Sequence, residues 1–200
     1  MKKSTLALLL LAGIAAQPAF AADWFVRGGA TMVDPKSDNG KLAGYDASIG
    51  DNTQLGLTFG YHFSPNLAIE VLAATPFTHE VSLDGLGEVA EFKHLPPTVS
   101  LQYYFNAEGK VSPFIGGGLN YTWTFDEETK GALTGNDISV GNSFGLAGQV
   151  GLRFALANDW DIVADARYID IGAGVELNGA DIGDAEVDPM VYSIMFGKRF

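Results

Sequence analysis

Alternation is the feature of this sequence that most restricts its fold. "SFGLAGQVGLRF" at residues 143–154 splits into two rows when every second residue is taken. Phe144, Leu146, Val150, Leu152 and Phe154 stand in one row; Ser143, Gly145, Ala147, Gln149, Gly151 and Arg153 stand in the other. Successive side chains of a strand point to opposite faces, so the two rows meet different surroundings. The same split recurs in segments near 24–32, 54–63, 67–77, 95–105, 114–125, 160–169 and 190–200. Eight strands are therefore expected. Tight turns join them at Ser64-Pro65-Asn66, around Ala107-Glu108-Gly109 and at Ala157-Asn158-Asp159, while long Gly-, Asp- and Asn-rich loops are expected near 35–52, 78–92, 126–140 and 172–187.

The contents of the rows decide which side is inside. The polar row carries Arg27, Glu70, Arg153, Asp165, Arg167 and Arg199 with many glycines. An eight-stranded barrel has an interior only wide enough for side chains to fill. Small residues and paired charges fit there, whereas an inward row of Leu, Phe, Tyr and Trp would overfill it. The bulky row thus faces outward, and an outward apolar band requires lipid. Hydrocarbon does not tolerate an unpaired sheet edge, so the first strand must pair with the last. The expected fold is all-β: an eight-stranded antiparallel transmembrane barrel with short turns on the periplasmic rim and long extracellular loops. Trp24, Phe63, Phe105, Phe154, Trp160 and Phe200 form one expected aromatic girdle, and Phe77, Tyr121, Trp123 and Tyr168 the other.

The chain ends fit that destination. Lys2 and Lys3, a short apolar run from Leu6 to Ala16 and Ala19-Phe20-Ala21 make residues 1–21 a secretory signal peptide, too short to span a bilayer, with the barrel occupying 22–200. Without the leader, ten basic residues face 24 acids, a formal charge of about −14 that disfavours nucleic acid as a partner. The chain has no cysteine, so this exported protein folds without disulfides.

The interior charges admit two readings. Arg27, Arg153, Arg167 and Arg199 can pair with Glu70, Asp161 and Asp165, because buried unpaired charge is very costly. Such a set is either an ion-selective pore or a structural plug, and a barrel this narrow favours the plug. A plugged lumen closes the straight path along the axis and leaves only a sideways exit. Pro96 and Pro97 interrupt the fourth strand and Pro76 lies near the top of the third. Proline donates no ladder hydrogen bond, so these residues mark either a weak lateral seam or a bulge shaping the rim. With a seam, Leu72, Ala74, Pro76, Pro96 and Thr98 line the pocket beside it.

Catalysis and metals find less support. His62, Ser100 and Glu70 share the inward phase, but strands do not bring them together by spacing and no G-x-S-x-G elbow is present. His79 and His94 are expected near the outer rim, as exposed histidines or a metal pair. Asp126-Glu127-Glu128 and the set Asp181, Asp184, Glu186 and Asp188 lack EF-hand spacing and read as solvated loops. The expectation is no enzyme, no cofactor and no metal.

Five stretches are more specific. "NTQLGLTFGYHF" (52–63), "LAIEVLAATPFTHEV" (67–81), "HLPPTVSLQYYF" (94–105), "PFIGGGLNYT" (113–122) and the terminal "GKRF" resemble the OmpW family of Gram-negative outer-membrane proteins. The resemblance covers nearly all of the chain after the leader and is weakest in the long loops. It implies an outer-membrane barrel with an apolar passage for small hydrophobic compounds, as in AlkL-type relatives that aid alkane uptake. It also implies that Leu72 narrows the passage. At Arg167 the chain departs from relatives with a bulky aromatic, which makes the constriction more polar. The expected partners are outer-membrane lipid, lipopolysaccharide, hydrophobic solutes and, through Phe200, the barrel-assembly machinery. The alternative is a structural or surface-interaction barrel, a phage or colicin receptor without transport.

Overall fold

The computed structural model describes residues 23–200; the expected leader lies outside the described residues. Fifteen strands follow one another: β1 (Trp24–Asp34), β2 (Lys41–Leu42), β3 (Tyr45–Ile49), β4 (Asn52–Ser64), β5 (Leu67–Ala74), β6 (Phe77–Leu83), β7 (Gly87–Leu95), β8 (Thr98–Tyr104), β9 (Val111–Thr129), β10 (Ile138–Val140), β11 (Ser143–Ala155), β12 (Trp160–Ile169), β13 (Gly172–Leu177), β14 (Ala180–Glu186) and β15 (Met190–Arg199). All of their pairings are antiparallel.

The barrel wall runs β1-β4-β5-β8-β9-β11-β12-β15 and closes where β15 meets β1, Phe25 opposite Arg199. Closure pairs the first stave with the last, as hydrocarbon demands. The bulky row faces out: Leu57, Phe59, Ile115, Leu119, Leu152, Ile194 and Phe196 are exposed, while Thr58, Ser100, Gln102, Gln149 and Ser193 alternate with them inside. The interior is tight enough that glycine is required where staves converge. A Cβ on Gly118 would stand 2.0 Å from the Val99 carbonyl oxygen, and one on Gly29 would stand 2.0 Å from that of Ile194.

Two expectations need correction. The third segment is not a continuous strand, while the fourth is interrupted at its two prolines, as expected. The third breaks at Thr75-Pro76 between β5 and β6, and the fourth at Pro96-Pro97 between β7 and β8. At Pro76 the residue count between inward positions slips by one. Ala68, Glu70 and Leu72 face inward below the break, and Phe77, His79, Val81 and Leu83 above it. Phe77 therefore leaves the expected girdle and is buried. The long loops are also ordered strand structure. β6 and β7 form a hairpin over most of 78–92, β3 pairs with β6, β7 pairs with the upper half of β9, and β10, β13 and β14 form a separate three-stranded sheet. The wall thus rises beyond the membrane band as an extension whose outward positions include Glu80, Glu91 and Lys93.

Candidate functional site

The lumen divides into three tiers, each fixed by which inward residues its strands supply. The lowest is aromatic. Phe25, Tyr104 and Phe114 are buried with Ala68 and Val163, and the Tyr104 and Phe114 rings stack at 4.9 Å. Above it lies a charged tier. Arg27 grips Asp161 with two hydrogen bonds of 2.9 Å and reaches Glu70 at 3.4 Å. Arg167 donates to the other Glu70 oxygen at 3.0 Å and stands 3.7 Å from Asp165. Gln149 donates to Asp165, Gln102 to Gln149 and the Tyr104 hydroxyl to Gln102, which ties β8, β11 and β12 together across the lumen. Glu70, on β5, is thus shared by two guanidinium groups: Arg27 from β1, two staves away, and Arg167 from β12 on the facing wall. All of these groups are buried or nearly so, so the tier is held by hydrogen-bonded charge and not by screened surface pairs.

Five of the seven expected charged residues meet in that tier; Arg153 and Arg199 do not. Among the described residues neither forms a salt bridge. Arg153 donates instead to the Ala107 carbonyl and, at 2.9 Å, to the Ser112 hydroxyl. Its place on β11 sets it beside the periplasmic turn, one tier below Glu70 and Asp165. Arg199, at the end of β15, is half-buried at the same rim. His62, Ser100 and Glu70 form no relay: among the described residues the Ser100 hydroxyl and Nδ1 of His62 have no hydrogen-bond partner, and Glu70 is engaged by the two arginines.

The upper tier is apolar. Val33, Leu42, Ala47, Ile49, Phe77, Val81 and Phe92 form one buried cluster with residues from β11 to β15, and Ala74 packs against it. Within it a cavity of about 20 Å³ is lined by Leu42, Ile49, Val81, Ala90, Phe92 and Val175, with their neighbours. The expected passage residues do not line this cavity. They lie below it, around the break: Leu72 and Thr98 are buried and opposite one another, Pro96 is buried, Ala74 is half-buried, and Pro76 and Pro97 are exposed. Sequence reasoning missed the cavity residues because it treated their segments as loops. Their signal was present as short alternations, Ala47/Ile49, Phe77/His79/Val81/Leu83 and Ala173/Val175.

The break is one-sided. The last β5–β8 pair is Leu72–Thr98 and the first β6–β7 pair is Phe77–His94, so no ladder pair joins residues 73–76 to 95–97. Each stave remains bonded to its other neighbour. Thr75 N donates to Leu55 O, while Tyr121 N and Asn120 Nδ2 donate to Pro97 O. The wall therefore keeps its strength on either side and lacks main-chain bonds only between the two staves, over about 10 Å at a 3.3 Å rise per residue. Exposed Tyr121 and Trp123 flank the opening, which puts it at the upper aromatic girdle.

His79 and His94 do meet, but not at an exposed rim. Both are buried, with their Nε2 atoms 3.1 Å apart and Nδ1 of His79 bonded to the Gly50 carbonyl. Burial lowers the pKa of both, and that of His94 falls to about 3, with His79 adding to the effect. The loop acids are partly engaged: Lys36 bridges Glu186 and Asp188, and Lys93 reaches Asp126.

Comparison with known proteins agrees with this architecture. The sequence model of the OmpW family matches residues 21–200. The chain is 39% identical to Outer membrane protein W of Vibrio cholerae, with both chains covered in full. It is 34% identical to Outer membrane protein AlkL of Ectopseudomonas oleovorans, over 83% of this chain and 74% of that one. The crystal structure of the outer membrane protein OprG from Pseudomonas aeruginosa superimposes with a TM-score of 0.78 at 37% identity, covering 90% of this chain and 96% of that one.

Proposed function

Because the chain belongs to the OmpW family of Gram-negative outer-membrane barrels, we propose that it carries small hydrophobic molecules passively across the outer-membrane surface and releases them sideways into the outer leaflet. The observation that carries this reading is the stacking of an apolar upper tier on a floor of paired charge, with the unbonded break at the level where they meet. An apolar solute gains by leaving water for the upper tier. It cannot continue down the axis, since parting the Glu70, Arg27 and Arg167 groups would strand buried charge. The break beside Ala74 and Pro96 is the way out that disturbs the fewest hydrogen bonds. In this reading Leu72, Ala74, Pro76, Pro96 and Thr98 edge the exit, and Pro96 and Pro97 keep it unladdered.

The cavity holds little more than one water, so entry requires the Ala- and Val-rich packing around it to open. No bond-making step or cofactor enters this scheme. Lipid surrounds the outward row, lipopolysaccharide surrounds the extension, and Phe200, whose N–H bonds to Trp24 O across the closing seam, offers the terminal aromatic for assembly.

The test is uptake of an alkane panel by cells with and without the protein, beside a variant with Pro96 and Pro97 replaced by Val and Thr. Slower uptake by that variant at equal surface abundance supports the lateral route. Uptake independent of the protein removes transport and leaves the surface-receptor reading, which the charge-filled lower lumen also suits.

A further inference from the structure

We propose that His79 and His94 form a two-nitrogen site for a soft monovalent metal cation, cuprous or silver, set into the extension immediately above the break. The two side chains come from neighbouring strands and are diagonal across the ladder, His79 opposite Phe92 and His94 opposite Phe77. Their exposures are 0% and 1%, and the Nε2 atoms are 3.1 Å apart. Hydrogen-bond chemistry fixes the tautomers. The Gly50 carbonyl only accepts, so Nδ1 of His79 carries its proton and Nε2 a lone pair. Nε2–H of His94 must then donate to that lone pair.

This is the arrangement in which proteins hold a ligating imidazole. Its second nitrogen donates to a backbone carbonyl, which fixes the ring and raises its basicity. His79 is therefore oriented as a ligand before any ion arrives. His94 becomes one when its proton moves from Nε2 to Nδ1; the proton count is unchanged and both Nε2 lone pairs converge on one point. Metal–imidazole bonds of about 2 Å span two nitrogens at most about 4 Å apart, so the rings part by less than about 1 Å to admit an ion in line.

The donor set selects the ion. Two neutral nitrogens without a carboxylate do not suit magnesium, calcium or manganese, which take oxygen ligands. Zinc needs three or four donors. Phe77 and Phe92 box the pair, with ring centroids 5.7 to 6.3 Å from the imidazoles, and aromatic faces attract a single positive charge. The acidic group Glu80, Glu88 and Glu91 is a separate feature, and Lys130 bridges two of its members. An ion between the histidines clasps β6 to β7 directly over the unladdered stretch.

The test uses the leader-free chain folded in detergent micelles, titrated with silver nitrate in chloride-free buffer and followed by calorimetry and imidazole ¹⁵N spectra. One equivalent is expected to bind, shifting the His79 and His94 Nε2 resonances and leaving those of His62 in place. His79→Phe and His94→Gln should each weaken that binding at least tenfold, with excess calcium failing to compete. Folding of each variant is read from tryptophan fluorescence and strand circular dichroism. Silver binding unchanged in both folded variants would assign the ion to methionine sulfur or loop carboxylates, and unmoved histidine resonances in the native chain would do the same. Either result overturns the site without touching the transport reading.

Discussion

Replacing Glu70 by Gln tests whether the charged tier is a dry seal. Glu70 accepts from Arg167 at 3.0 Å and from Arg27 at 3.4 Å. After the change Arg27 keeps both bonds to Asp161, but the only carboxylate left to Arg167 is Asp165, at 3.7 Å, and among the described residues its Nε and Nη1 already lack partners. Breaking a buried ion pair from one side costs about 3 to 5 kcal/mol, because the remaining charge stays buried. At about 1.4 kcal/mol per factor of ten, the folded-to-unfolded ratio should fall by roughly two to four orders of magnitude. Urea unfolding in lipid vesicles, followed by fluorescence of Trp24, Trp123 and Trp160, measures it. The double variant Glu70→Leu, Arg167→Met should recover most of the loss, since it leaves no unpaired charge at that contact. Removing the exposed Lys41–Asp46 pair should cost under about 1 kcal/mol. A Glu70→Gln cost as small as that of the exposed pair would mean that water reaches the tier. The lumen would then not be sealed at Glu70, and a solute could continue down the axis instead of leaving sideways.

Three further outcomes follow from the same geometry. The buried histidine pair binds protons less well folded than unfolded, so the extension should be fully stable above about pH 6.5 and lose stability as pH falls below it, by up to about 1.4 kcal/mol per pH unit for each linked histidine; amide exchange of Val81 and Ala90 measured from pH 7 to pH 4 checks this, and rates that do not change once intrinsic exchange is corrected for would contradict it. Gly118→Ala should destabilise the barrel by about 1 to 3 kcal/mol, as its Cβ meets the Val99 backbone at 2.0 Å, measurable by the same urea titration. Ile194→Arg places a charge at a position 67% exposed to lipid near mid-height; it should cost about 2 to 4 kcal/mol in vesicle refolding, whereas arginine at the exposed Leu86 of the extension should be nearly neutral.

Alternation alone determined the barrel. A period of two with bulky residues on one face and glycine or charge on the other has one solution in a cysteine-free exported chain: a closed wall with lipid outside. Leu152 and Phe196 could be placed outward, and Arg27 and Glu70 inward, from residue order, because the pleat enforces those directions locally. The pairing of Arg27 with Asp161, 134 positions apart, followed in kind but not in detail. Arg153 and Arg199 show why: phase says that a side chain points inward, but height along the axis depends on the stagger of all the staves. The phase slip at Thr75-Pro76, the burial of Phe77, the meeting of His79 with His94 and the one-sided break were decided by tertiary structure. Each depends on how β6 and β7 pair above the membrane and on which neighbours take up the hydrogen bonds that the prolines leave. The apolar cavity belongs with them, since seven short strands too weak to stand alone bury their alternate residues only by packing together over the barrel mouth.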